Sequence, residues 1–255
     1  RRISYCCSPK TKVFVNIQQV KYYMSQHTYK RFNEELDSLK EHVLSMGGLI
    51  ERAIGHAVKS MLEQDEKLAN KTIERDRVIN ALEVQCDEMM RDILVRRQPA
   101  ASDLRFIMGM IKVVTDLERM GDLAVNISKG TLFSLANPPR LFSNLDMMAE
   151  KVLLQVNRAL DAISRGDIEM AMAVIERDRT IDKMYKRLYR EMITYMMEDP
   201  RDISAYFTLS NAAKNLERIS DHATNIAEMV IYIEQGHDIR HINHDAAAKL
   251  LAGED

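Results

Sequence analysis

The sequence predicts an all-α chain, a tandem repeat of two three-helix bundles with six long helices. Three observations carry this. The composition favours helix, with 17 Met but only nine Gly and five Pro in 255 residues and no Trp. The run Ile73-Glu74-Arg75-Asp76-Arg77 recurs as Ile175-Glu176-Arg177-Asp178-Arg179. Within each copy the apolar residues follow a helical period: Ile79, Leu82, Cys86, Met89 and Ile93 form one stripe, and Ile107, Met110, Ile111, Val114 and Leu117 another.

The repeat has a measurable register. The pentapeptide lies at an offset of 175 − 73 = 102, which also carries Asp65 onto Asp167, Ala69 onto Ala171 and Ile79 onto Ile181. Further on, Leu117-Glu118-Arg119 recurs as Leu216-Glu217-Arg218, an offset of 216 − 117 = 99. That offset also pairs Asp103 with Asp202, Asp122 with Asp221 and Asn126 with Asn225. The change from 102 to 99 places a loop of variable length near Gln98–Ser102. Helices are expected near 28–63, 66–97, 102–134, 141–164, 167–198 and 202–235. Their breaks fall at Gln98-Pro99 (with Ser102 as N-cap and Asp103 in the first turn), Asn137-Pro138-Pro139, Gly166-Asp167, Asp199-Pro200 and Gly236. Long helices with short connections stack antiparallel, so 28–137 reads as the first bundle and 138–236 as the second. Residues 1–27 read as a disordered N-terminal extension, since no Met opens the sequence and Met24 begins what reads as a natural start. Residues 237–255 read as a C-terminal tail.

A net charge of −2, with 29% charged and 46% hydrophobic residues, argues against a nucleic-acid binder and allows a sizeable core. Cys6, Cys7 and Cys86 make no disulfide framework; Cys86 reads as a buried thiol, and a reduced, cytoplasmic compartment fits. No apolar run reaches the roughly 20 residues that cross a bilayer. Met89-Met90, Met147-Met148 and Met196-Met197 read as core filler. Gly47-Gly48 lacks the context of a phosphate loop and reads as a place of close helix approach. His237, His241 and His244 read as part of a solvated tail, and His222 as a surface or groove residue.

The chemistry lies in acids four residues apart, which share a helix face. Glu118 and Asp122 match Glu217 and Asp221; Asp178 and Asp182 have the same spacing, while in the first copy Asp76 is followed by Asn80. Like charges at this spacing cost a few tenths of a kcal/mol on an exposed helix, so something must offset them. Two readings stand. The acids pair with Arg75, Arg77, Arg119, Arg177, Arg179 and Arg218 at the surface, or they hold a cation between neighbouring helices. A carboxylate-bridged metalloenzyme is the alternative, but such sites use Glu-x-x-His, and here Gly121 and Ser220 stand where the His would be.

The sequences Leu117-Glu118-Arg119-Met120-Gly121-Asp122 and Leu216-Glu217-Arg218-Ile219-Ser220-Asp221 resemble the repeated signature of the PhoU family. Arg97–Arg105, Thr194–Asp199 and Lys249–Asp255 are similar to its proteobacterial branch. The resemblance covers the chain from about His27 onward. It implies two three-helix bundles and a homodimer. It also implies a non-enzymatic, cytoplasmic negative regulator of phosphate uptake and phosphate-starvation signalling, peripheral to the inner membrane through its partners. Those partners would be the phosphate ABC transporter ATPase and the phosphate-sensing histidine kinase, with no nucleic acid and no membrane insertion. The family's metal motif, for iron, zinc, manganese or magnesium, falls on Asp76, Glu118, Asp122, Asp178, Asp182, Glu217 and Asp221. Asn80 departs from it.

Overall fold

A computed structural model describes residues 17–139 and 144–240, with side chains from Lys30 onward. Among these are six α-helices and no strand: α1 Ile17–Glu63, α2 Glu66–Arg97, α3 Ala101–Ser134, α4 Leu145–Arg165, α5 Ile168–Glu198 and α6 Ile203–Gln235. A 3-10 turn at Pro200–Asp202 leads into α6. The chain divides into two compact units, Arg1–Ser38 and Leu39–Asp255. In the first, helix α1 is already formed at Ile17, eleven residues (28 − 17) before the expected start. Ile17–His27 contains no Gly or Pro, so nothing in it breaks a helix. The expected disorder of the remaining 1–16, and Cys6 and Cys7, lie outside the described residues, as do the end of the 137–140 linker, His241, His244 and Lys249–Asp255.

From Leu39 onward both repeats lie within the second unit. Helix α3 packs along α6, α2 covers α3, α5 covers α6, and α4 lies against α5 and α6. A Cβ on Gly109 would stand 2.6 Å from Ile233, and one on Gly130 would stand 3.3 Å from Thr208, so α3 and α6 run antiparallel. Helices α1 and α4 do the same: a Cβ on Gly47 would stand 2.6 Å from Leu160, and Glu51 accepts a hydrogen bond from Asn157 at 2.5 Å. Two pairs of equivalent helices, α1 with α4 and α3 with α6, therefore run antiparallel, as a twofold relation between the repeats requires. Gly47 makes the expected close approach; Gly48 has only the tip of Arg52 within 4 Å.

Each repeat buries an apolar stripe: Leu39, Val43, Met46, Ile50 and Ile54 of α1, with Leu145, Met148, Val152 and Val156 beginning that of α4, are all fully buried. Cys86 is a buried free thiol, pushed up to about 11 by burial and by the neighbouring charge of Asp87. The Met pairs divide. Met90 and Met148 fill the core, whereas Met147 and Met197 are exposed, because consecutive residues on a helix cannot face one way. Ser102 is not the N-cap of α3. That place falls to Ala100, which has no side-chain oxygen, and Ser102 lies in the first turn with Asp103. The three residues between α2 and α3, Gln98-Pro99-Ala100, account for the change of offset, since Ala101 + 99 is Pro200, where the 3-10 turn begins.

The second helix of each repeat begins in the same way. Asp65 accepts from the Leu68 N–H at 3.0 Å and Asp167 from the Met170 N–H at 2.9 Å. Such a bond satisfies one donor of the open first turn. Replacing either by Ala should lower stability by about 1 kcal/mol, and the double variant should show the sum, since the two caps share no partner. Urea unfolding checks both.

Candidate metal site

Five positions in each repeat build the carboxylate faces: Asp76, Asn80, Glu118, Gly121 and Asp122 in the first, Asp178, Asp182, Glu217, Ser220 and Asp221 in the second. The acids stand on α2 and α3, and on α5 and α6, which pack against one another. Four-residue spacing aims each pair at the facing helix. The structure then separates the two copies.

In the second repeat Asp178, Asp182 and Asp221 bring one carboxylate oxygen each to within 4.8 Å of the others, an arrangement that can hold a metal ion. Ser220 fixes Asp178 by donating to its Oδ1 at 2.7 Å. Glu217 is not in this trio; its carboxylate accepts from Lys214 Nζ at 2.5 Å, and Lys214 also lies over the Tyr185 ring, 5.1 Å from its centre. The acids disturb one another. Asp178 is raised by burial first, then by Asp182 and Glu217, while hydrogen bonds from Ser220 and Gln155 oppose the rise. Asp221 is pushed up to about 6, by burial first and then by the charges of Glu217 and Asp178, against the pull of Lys214. Asp221 keeps an open path to solvent, so its repulsion is screened and weaker than this shift would mean in a dry interior.

The first repeat brings no three acids together in this way among the described residues. Asn80 donates to Asp76 Oδ2 at 3.1 Å, and the other oxygen, Oδ1, is buried with no partner. Gly121 stands where Ser220 supplies a hydroxyl in the second copy, and a Cβ there would lie 3.4 Å from that orphan oxygen. Glu118 is raised by burial, then by Asp122 and Glu83. Glu83 is an acid that sequence reasoning missed, although it lies seven residues after Asp76 and therefore on the same face.

Of the arginines only Arg119 pairs with one of these acids, and it does so from an exposed position. Arg119 lies 3.6 Å from Glu118 and is 60% exposed, and Arg77 donates to the Glu74 carbonyl. Arg75, Arg177, Arg179 and Arg218 form no ion pair among the described residues. Three hard oxygens in mutual reach fit a hard or borderline cation. His222, on the other face of α6, is half-buried and paired through Nδ1 with Asp116 Oδ1 at 2.7 Å, joining α6 to α3. His237 is exposed, and Asp238 and Arg240 beyond it pair with each other.

The match to the PhoU domain occurs twice, over residues 43–131 and 145–230, once per repeat. The chain belongs to the PhoU family. Over 221 residues, 86% of each chain, it is 44% identical to the phosphate-specific transport system accessory protein PhoU homolog of Pseudomonas putida. Over 234 residues, 91% of this chain and 97% of the relative, it is 38% identical to the phosphate-specific transport system accessory protein PhoU of Escherichia coli K12. The crystal structure of PhoU from Pseudomonas aeruginosa superposes with a TM-score of 0.78 at 42% identity, covering 81% of this chain and all of that one. The PhoU signature of each repeat supplies the acids described above, on α3 and on α6.

A carboxyl group whose pKa is raised on folding binds its proton more tightly in the folded state, so stability falls as pH rises through that interval. In chelator, wild-type stability should therefore decline between about pH 4 and about pH 6, the unfolded and folded values of Asp221. Asp221→Asn should remove part of that decline and gain on the order of 1 kcal/mol at pH 7.5, a value discounted for solvent screening. Chemical unfolding across the pH series measures both. An Asn variant less stable than wild type at pH 7.5 would make Asp221 a structural ion-pair partner.

Proposed function

We propose that this protein is a cytoplasmic negative regulator of phosphate uptake and phosphate-starvation signalling. It acts as an adaptor, with a phosphate ABC transporter ATPase on one side and a phosphate-sensing histidine kinase on the other. The observation that carries the reading is the twofold family match, with relatives named as accessory proteins of phosphate-specific transport across nearly the whole chain. No helix among the described residues is long and apolar enough to cross a membrane, so contact with a transporter runs through a protein partner in this reading. The chain pairs as a homodimer and performs no turnover of its own.

The cation belongs to the same proposal. Asp178, Asp182 and Asp221 are the ligands, with Glu217 and Lys214 beside them; Asp76, Glu118 and Asp122 form the second, less charged face. Iron, zinc, manganese and magnesium all accept carboxylate oxygen, and a bound ion would neutralise the repulsion that raises Asp178 and Asp221. The residues themselves would hold the ion and lock α5 to α6.

Deleting the gene should raise expression of phosphate-starvation genes in phosphate-replete cells, and the tagged protein should recover the ATPase or the kinase from extract. Normal repression together with recovery of neither partner defeats the adaptor reading. Metal analysis of untagged protein should show less bound metal in Asp182→Asn than in wild type; equal content defeats the ligand assignment.

A further inference from the structure

A second duplicated feature lies beside the carboxylates. Between α1, α2 and α3 is a cavity of about 340 Å³, and between α4 and α5 one of about 330 Å³. They are the same cavity in the two repeats. At the offset of 102, Ala53 becomes Gln155, His56 becomes Arg158 and Arg75 becomes Arg177, and all six line their respective walls. Each cavity collects three basic side chains: Arg52, His56 and Arg75 in the first, Lys151, Arg158 and Arg177 in the second. None of these makes an ion pair among the described residues, and His56 faces other cations. Its pKa is lowered by burial and then by the charges of Arg75, Lys71, Lys59 and Arg52. Uncompensated positive charge around a concave site attracts an anion.

Each cavity also holds a buried acceptor with nothing to accept from. In the second it is Oε1 of Gln155, a residue only 2% exposed. Its amide nitrogen donates to Thr224 Oγ1 at 3.3 Å and also favours the charged form of Asp178, which leaves the carbonyl oxygen as the orphan. In the first, Ala53 has no such group, and the orphan is Oδ1 of the cavity-lining Asp76. A buried acceptor left without a donor is unfavourable, and each cavity holds one that calls for a partner.

A single ligand that answers both demands must carry negative charge and an acidic proton. We propose that the cavity between α4 and α5 binds a protonated oxyanion, of which hydrogen phosphate is the simplest. Lys151, Arg158 and Arg177 hold its charge, and Gln155 Oε1 accepts the hydrogen bond from its P–O–H group. Sulfate is fully deprotonated at neutral pH and offers no such donor. A phosphomonoester offers the same P–O–H donor in its monoanionic form, and the cavity has room for its organic part. The proposal stands on the cavity's own lining residues and needs neither the cation nor the partner proteins.

The test is titration calorimetry on the full chain at pH 7.0, low ionic strength and with chelator, in an Arg75→Ala background that disables the sister cavity. The probes are inorganic phosphate, glycerol 2-phosphate and sulfate. Phosphate should bind at least fivefold more tightly than sulfate. Gln155→Leu should bring phosphate down to the affinity of sulfate, while Arg177→Ala, an exposed position, should weaken both at least tenfold. If the monoester binds more tightly than phosphate with the same dependence on Gln155 and Arg177, the proposal holds with an organic phosphate as ligand. Equal affinity for phosphate and sulfate overturns it, as does binding of neither or binding unchanged by Arg177→Ala. Circular dichroism guards against an unfolded Gln155→Leu; should that variant fail to fold, the phosphate-to-sulfate ratio and Arg177→Ala decide the matter.

Discussion

The antiparallel packing of α3 against α6 is the contact on which the rest of the molecule depends. Gly109 and Gly130 let the two backbones close on one another at widely separated points along α3, and the Asp116–His222 pair ties their middles. Every other helix lies on this spine or on a helix that does: α2 on α3, α5 on α6, α4 across the second repeat. The clustered acids inherit their placement from it, because Asp221 can meet Asp178 and Asp182 only if α5 is seated on α6 in register. A shift of one residue would carry a whole face of acids about 100° around the helix and disperse the site.

The two repeats share a backbone plan and differ in electrostatics. At the second site Lys214 stands where the first has Thr115, Ser220 where the first has Gly121, and Asp182 where the first has Asn80. The second thus carries one more acid in its paired row, one fixed internal cation and one hydroxyl that anchors Asp178. The first has an amide in place of an acid and leaves an oxygen of Asp76 without a donor. Gathering three carboxylates raises their energy, and Lys214 removes part of that repulsion without entering the trio of Asp178, Asp182 and Asp221.

Much of the fold was legible because duplication writes the same signals twice. The identical pentapeptides set the register, and the breaks at Gly166-Asp167, Asp199-Pro200 and Gly236 set helix ends to within a residue or two. Gly166 ends α4 at φ +65°, a conformation that a side chain resists. The start of α1 was misread because the absence of helix breakers was outweighed by an argument about where the chain begins. Ser102 was misread because capping depends on the path of the chain around Pro99 rather than on residue type. At the site, the acids could be read from spacing, but their unequal assembly could not. It rests on Lys214, Ser220 and Gln155, residues whose partners at the other copy are Thr115, Gly121 and Ala53. A reading that searches for what repeats is blind to what does not.

The antiparallel pairing of equivalent helices also bears on the origin of the chain. Contacts such as α1 with α4 and α3 with α6 are those a homodimer makes across a twofold axis, where each surface meets its own copy. A single three-helix chain that once dimerised in this way would have been obliged to present the same residues at both sites. Fusion into one polypeptide lifts that obligation. One half can then acquire a lysine, a serine and a glutamine while the other keeps its older neighbours, so that gene duplication becomes the means by which a symmetric assembly learns to be lopsided.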